Sequence, residues 1–163
     1  MPLGEDAAEK LREIGLFGGL PDTTLRELAA SLEVLDLEPN AIVFHEGDAG
    51  RELYVVLEGE LEVIRRSKRH RDITVLVMQP GSWFGEMSML DVMPRAATVK
   101  TTTAARLLKL TAHDLDALYR RDLKSYTLLV LNIAREMSRQ RRVTEGLLMD
   151  LMANMSDEFL RHR

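Results

Sequence analysis

Between residues 34 and 110 the apolar residues fall in short β-rich runs: Leu35 to Leu37, Ala41 to Phe44, Leu53 to Leu57, Leu61 to Ile64, Ile73 to Met78, Ala96 to Val99 and Ala105 to Leu110. Pro39-Asn40, Gly47-Asp48-Ala49-Gly50, Gly59 and Pro80-Gly81 separate them. Several strands at such spacing predict an antiparallel sandwich or barrel. The period changes at both ends of the chain. Glu5 to Ile14 carries Leu11 and Ile14 at helical spacing, and after Pro21-Asp22 a second helix places Leu25, Leu28 and Leu32 on one face. Past Leu110 the pattern stays helical: a short helix over Asp114 to Arg120, then one long helix from Leu123 to about Phe159, interrupted by no proline. The expected division is 1–33, a helical segment; 34–111, the β unit; and 112–163, the terminal helices, all within one domain.

On the long helix Val130, Met137, Thr144 and Leu151 recur every seven residues, as do Ala134, Arg141, Leu148 and Met155. This is an imperfect heptad seam, with Arg141 and Thr144 as polar interruptions. It has three available partners: the chain's own β unit, a second copy of the helix, or both. The length predicts a homodimer through this helix.

Composition narrows the class. The chain has 163 residues, 45% of them hydrophobic, enough for one core. No apolar run reaches the ~18 residues of a membrane span, and acidic residues in Met1 to Lys10 leave no apolar stretch of a signal peptide, so a cytoplasmic protein without membrane contact is expected. There is no cysteine, which excludes disulfides and thiolate-bound metal. His45, His70, His113 and His162 are scattered without metal-ligand spacing, and no nucleophile–base pair stands out, so neither a metal site nor an enzyme, such as one on a small metal-binding barrel, is expected. A net charge of −4 gives no general attraction to nucleic acid. Arg65 to Arg71 holds five basic residues in seven positions, where a hairpin tip should be solvated.

The segment Phe84-Gly85-Glu86-Met87-Ser88-Met89-Leu90, followed by Pro94-Arg95-Ala96-Ala97-Thr98-Val99, carries the chemistry. Gly85 permits close backbone approach, and the Glu86 carboxylate can accept a hydrogen bond from a ribose hydroxyl. Met87 to Leu90 can form a helical turn with unpaired N–H groups suited to an anion. Arg95 brings a permanent planar cation able to grip phosphate oxygens through two donors.

These residues resemble the phosphate-binding cassette of cyclic nucleotide-binding domains, F-G-E-x-[SA]-x-L followed by P-R-[SA]-A-T-V. The resemblance implies an α+β, mainly β, fold: an antiparallel, jelly-roll-like β-roll with N-terminal helices, a short phosphate-cassette helix and a long C-terminal helix. It implies a sensor or regulatory domain that binds cyclic AMP and transmits binding through that helix. Arg95, with the backbone N–H groups of Ser88, Ala96 and Ala97, would hold the cyclic phosphate. Glu86 would take the ribose 2′-OH, and the Gly85 backbone would lie against the sugar. Val63, Val75, Met78 and Met87 would contact the purine, and Thr144 would reach it from the long helix. Ala96 stands where cyclic-GMP-dependent kinases tend to have Thr, which tilts the reading toward cyclic AMP and leaves cyclic GMP possible. Activators of this family continue into a helix-turn-helix, for which Ser156 to Arg163 is too short. A stand-alone sensor without direct DNA binding is therefore expected, its downstream partner unknown, and the alternative is the sensor part of an activator-family transcription factor.

Overall fold

The computed structural model describes residues 7–161, with side chains to residue 155. The start of the chain before Ala7 and the end that includes His162, both used in the sequence reading, lie outside the described residues. In chain order the elements are α1 (Ala7–Glu13), a 3₁₀ turn (Gly15–Phe17), α2 (Asp22–Ser31), β1 (Glu33–Leu37), β2 (Ile42–Phe44), β3 (Glu52–Glu58), β4 (Leu61–Arg66), β5 (Asp72–Met78), β6 (Trp83–Phe84), α3 (Glu86–Asp91), β7 (Thr98–Thr101), β8 (Ala105–Thr111), α4 (Ala112–Arg121) and α5 (Leu123–Arg161). Two four-stranded antiparallel sheets, ordered β1-β8-β3-β6 and β2-β7-β4-β5, face each other as the expected roll.

The continuous apolar run of β3 follows from burial of the first sheet on both faces. Leu53 and Val55 of β3, with Leu108 and Leu110 of β8, pack outward against Leu11, Phe17, Leu25, Leu129 and Ile133 of the helices. The alternate residues, Tyr54 and Val56 with Leu107, turn inward and meet Leu61, Met78, Phe84 and Val99 inside the roll. Period-two alternation thus builds two cores with β3 and β8 shared between them.

Local chemistry sets the ends of the helices. Thr111 caps α4 reciprocally: its Oγ1 accepts from the Asp114 N–H at 3.2 Å, while its own N–H donates to Asp114 Oδ2 at 2.8 Å. Asp122 begins α5 by accepting from the Ser125 N–H at 3.1 Å and from Thr24 Oγ1 of α2 at 3.0 Å. A bond from the Ser125 hydroxyl, foremost, and these two together hold its carboxyl below the usual range. About two turns beyond Ser125, Asn132 Nδ2 donates to the carbonyls of Leu16 (3.0 Å) and Gly18 (2.9 Å), clamping α5 to the 3₁₀ turn. From Met137 to Met155 every residue of α5 is exposed, the heptad positions Met137, Leu148, Leu151 and Met155 among them.

Two elements differ from expectation. The strand expected at Ala96 to Val99 begins at Thr98, because Ala96 and Ala97 remain in the loop that follows Arg95. The two-residue β6, held against Tyr54 and Val55, is too short to leave a periodic signature.

Candidate functional site

β6 ends at Phe84, and the chain turns through Gly85 into α3. Gly85 has φ = +88°, and a Cβ there would stand 2.6 Å from the Glu52 carbonyl oxygen and 2.8 Å from Arg95 Nη1. Only glycine accepts both the backbone angle and the approach. After α3, the Arg95 backbone is pinned to the turn before β3: its N–H donates to Asp48 O at 2.9 Å, and its carbonyl accepts from Gly47 N at 2.8 Å.

That anchoring sends the Arg95 side chain into the roll, where it is only 3% exposed. Nη1 donates to the carbonyls of Glu52 (2.9 Å) and Gly85 (3.1 Å), and Nη2 donates to Glu52 Oε2 at 2.8 Å. The Phe44 ring lies under the guanidinium, 4.2 Å from its central carbon. A guanidinium carries five N–H groups. Among the described residues the guanidinium makes three hydrogen bonds, and the buried Nε has no partner. Such an orphaned donor is uncommon in a folded interior.

Arg95 forms part of the wall of a cavity of about 180 Å³. Nine of the expected residues line it: Val63, Met78, Gly85, Glu86, Met87, Ser88, Arg95, Ala96 and Ala97. Val75 and Thr144 do not; both line an adjoining groove of about 740 Å³ between β5 and α5. A register shift explains Val75: Val63 pairs with Leu76 and Ile64 with Thr74, so Val75 is skipped and Leu76 takes its place on the cavity wall. Thr144 is exposed, and its hydroxyl donates back to the Gln140 carbonyl at 3.0 Å. Gln140, one turn earlier, lines the cavity instead.

Sequence reasoning also missed Glu52 and Phe44, which hold Arg95 from strands 43 and 51 positions earlier in the chain. No local spacing links them. Among the described residues no group of three or more His, Cys, Asp or Glu side chains is arranged to hold a metal ion, and no helix is long and apolar enough to cross a membrane.

Burial pushes the Glu86 carboxyl above its usual range, Glu136 of α5 adds to this, and a bond from its own backbone N–H together with Arg95 opposes it. A carboxyl raised on folding binds more protons in the folded than in the unfolded chain, so stability falls as pH rises above the ordinary carboxylate range. Glu86→Gln should therefore raise the unfolding midpoint at pH 7 and have little effect near pH 4. Thermal melts at both values check this; a stabilisation independent of pH would contradict the burial argument.

The family model of the cyclic nucleotide-binding domain matches residues 34–122. The CRP-like cAMP-activated global transcriptional regulator of Mycobacterium tuberculosis is 32% identical over 110 residues, which span 68% of this chain and 48% of that protein. The chain thus covers about half the length of that relative. The N-terminal domain of a transcriptional regulator from Streptomyces coelicolor superposes with a TM-score of 0.72 at 35% identity, over 80% of this chain and 94% of that one. The regulatory domain of Toxoplasma gondii PKA, solved with cAMP, does so with a TM-score of 0.63 at 32% identity, over 69% and 43% of the two chains. With the family match running through both sheets, Arg95 and its cavity, the chain belongs to the cyclic nucleotide-binding domain family.

Proposed function

We propose that the cavity binds cyclic AMP and that the chain is a regulatory sensor of the cytoplasm rather than a catalyst. The observation that carries this reading is the buried Nε of Arg95, which has no partner among the described residues and belongs to a side chain lining the cavity. An unpaired buried donor costs about 1–3 kcal/mol. A phosphate oxygen would remove that cost and also meet a fixed positive charge.

Arg95 would hold the cyclic phosphate with backbone N–H groups of Ser88, Ala96 and Ala97. Glu86 would accept from the ribose 2′-OH, and Val63, Met78 and Met87 would surround the purine. Because α5 supplies part of the wall, a bound ligand would touch the helix directly and bias its position. The exposed heptad stripe would then carry the change to a second copy of the chain. A second reading, the sensor part of an activator-type transcription factor, draws on the chain's half-length match to the Mycobacterium regulator. Further coding sequence after Arg163 would favour it.

Cyclic AMP should raise the thermal midpoint. A ligand bound only by the folded state adds about 2.7 kcal/mol at a hundredfold excess over Kd, or roughly 5–10 °C for a chain of this size. Linear 5′-AMP, with its extra charge and open phosphate, should shift it far less. Equal shifts with the two nucleotides would overturn the assignment.

A further inference from the structure

β4 pairs with β7 only from Leu61 to Ile64, whereas its pairing with β5 runs on through Arg65 with Ile73 and Arg66 with Asp72. Beyond Ile64 the two strands therefore stand out from the second sheet as a two-stranded ribbon. Its loop is closed from within. The Ser67 carbonyl accepts from the His70 N–H at 2.9 Å, the Ser67 N–H donates to the Arg71 carbonyl at 2.8 Å, and Ser67 Oγ accepts from the Arg71 N–H at 3.1 Å. His70 takes the left-handed angle, φ = +56°, that a short hairpin loop of this kind uses.

This fixed tip is strongly basic. Residues 65–72 hold five Lys and Arg against Asp72, a net +4, in a chain of net −4 whose remainder thus carries −8. All five cations are exposed. Asp72 lies 3.5 Å from Arg66 Nε, and among the described residues the side chains of Arg65, Lys68, Arg69 and Arg71 have no ion pair or hydrogen bond.

The chemistry of the tip favours one kind of partner. Residues 65–72 include no apolar side chain to anchor in a protein pocket, and exposed ion pairs between proteins contribute little. Duplex DNA differs, because every cation that meets a phosphate releases condensed counterions. Four of the five cations are guanidiniums, which match phosphate through two donors. Shape agrees with charge: the major groove of B-DNA, ~12 Å wide and ~8.5 Å deep, admits a two-stranded ribbon. The arm from Arg65 to Lys68 is roughly 10–13 Å long at a strand's rise per residue, enough to reach into it.

We propose that the ribbon of β4 and β5 enters the major groove of duplex DNA and holds its phosphates through Arg65, Lys68, Arg69 and Arg71. This does not depend on what the cavity binds. It stands against the expectation of no direct DNA contact, which turned on the lack of a recognition helix.

The test is titration of a short labelled DNA duplex with the full chain, followed by fluorescence anisotropy at several salt concentrations. Four to five phosphate contacts should give a slope of log association constant on log salt of about −3.5 to −4.5, a loss of roughly 100- to 500-fold between about 50 and 200 mM. Arg69→Gln combined with Arg71→Gln should flatten the slope by about 1.8 and weaken binding at the lower salt by roughly tenfold or more. Lys10→Gln combined with Arg26→Gln removes the same charge from exposed positions of α1 and α2, the helices packed on the first sheet, and should leave slope and affinity close to wild type. Duplex RNA, whose major groove is too narrow for a ribbon, should bind more weakly than DNA. No binding to DNA at the lower salt, a tip variant that binds as wild type does, or equal losses in the two double variants would overturn the proposal. So would RNA, or a polyglutamate chain marking an acidic protein as the partner, bound as tightly as DNA.

Discussion

Arg95→Ala should cost roughly 2–4 kcal/mol of cyclic nucleotide affinity, thirty- to a thousandfold in Kd, because the substitution removes the charge that meets the phosphate. Arg95→Lys should be nearly as severe. An ammonium cannot reach the Glu52 and Gly85 carbonyls and the Glu52 carboxylate together while keeping a donor on the cavity side, as the planar guanidinium does. Arg95→Ala should also lower the stability of the empty protein, since Glu52 loses its partner and two carbonyls lose a donor. Arg95→Lys keeps the charge, so it should be the more stable of the two. Titration and thermal melts of both variants separate the effects. Normal cyclic AMP binding by Arg95→Ala would defeat the proposed site.

Gly59→Ala should destabilise the fold by about 3 kcal/mol. Gly59 turns the chain from β3 into β4 with φ = +84°, and a Cβ there would stand 2.3 Å from the Ala104 carbonyl oxygen and 2.7 Å from the Ala105 Cα. The left-handed backbone costs an alanine about 1–2 kcal/mol. The overlap adds about 1–3 kcal/mol, because both opposing atoms are backbone at the start of β8 and cannot swing aside. Urea unfolding measures this directly. A loss under about 1 kcal/mol would mean that the turn does not rest on residues 104–105.

Most of the roll was legible because its strands are bounded by turn residues, and because β3 and β8 are apolar enough to declare themselves. The cassette was legible because its residues are consecutive in the chain and their chemistry needs no distant partner. What escaped reading came from outside it. Glu52 looks like an ordinary charged residue at the start of a strand until the roll closes and sets it against Arg95. Val75 and Leu76 differ only by a one-residue slip, which the register shift between β4 and β5 decides and an apolar run such as Ile73 to Met78 does not record. Gln140 and Thr144 share one helix face, so the heptad pattern identifies the face; a shift of one turn, about 5.4 Å along the axis, exchanges them at the cavity. That shift is governed by distant bonds, such as those of Asn132 to the 3₁₀ turn.

The pairing of β1 with β8 joins Glu33 to Lys109 and Leu37 to Ala105. On the ribosome, β1 must wait without its neighbour until residues 105–111 have emerged, and β3 waits for the same strand. Pairings this remote in sequence delay folding, since the loop must close before any contact rewards it. The helices before β1 depend on local contacts and can form earlier, whereas α4 and α5 follow β8 in the chain. The strand that completes the first sheet is thus made after the cassette, and Arg95 reaches the tunnel exit before the sheet that will bury it is whole. A nascent chain stalled before β8 has emerged would expose an edge of β3, and the outer face of the sheet would still wait for Leu129 and Ile133 of α5.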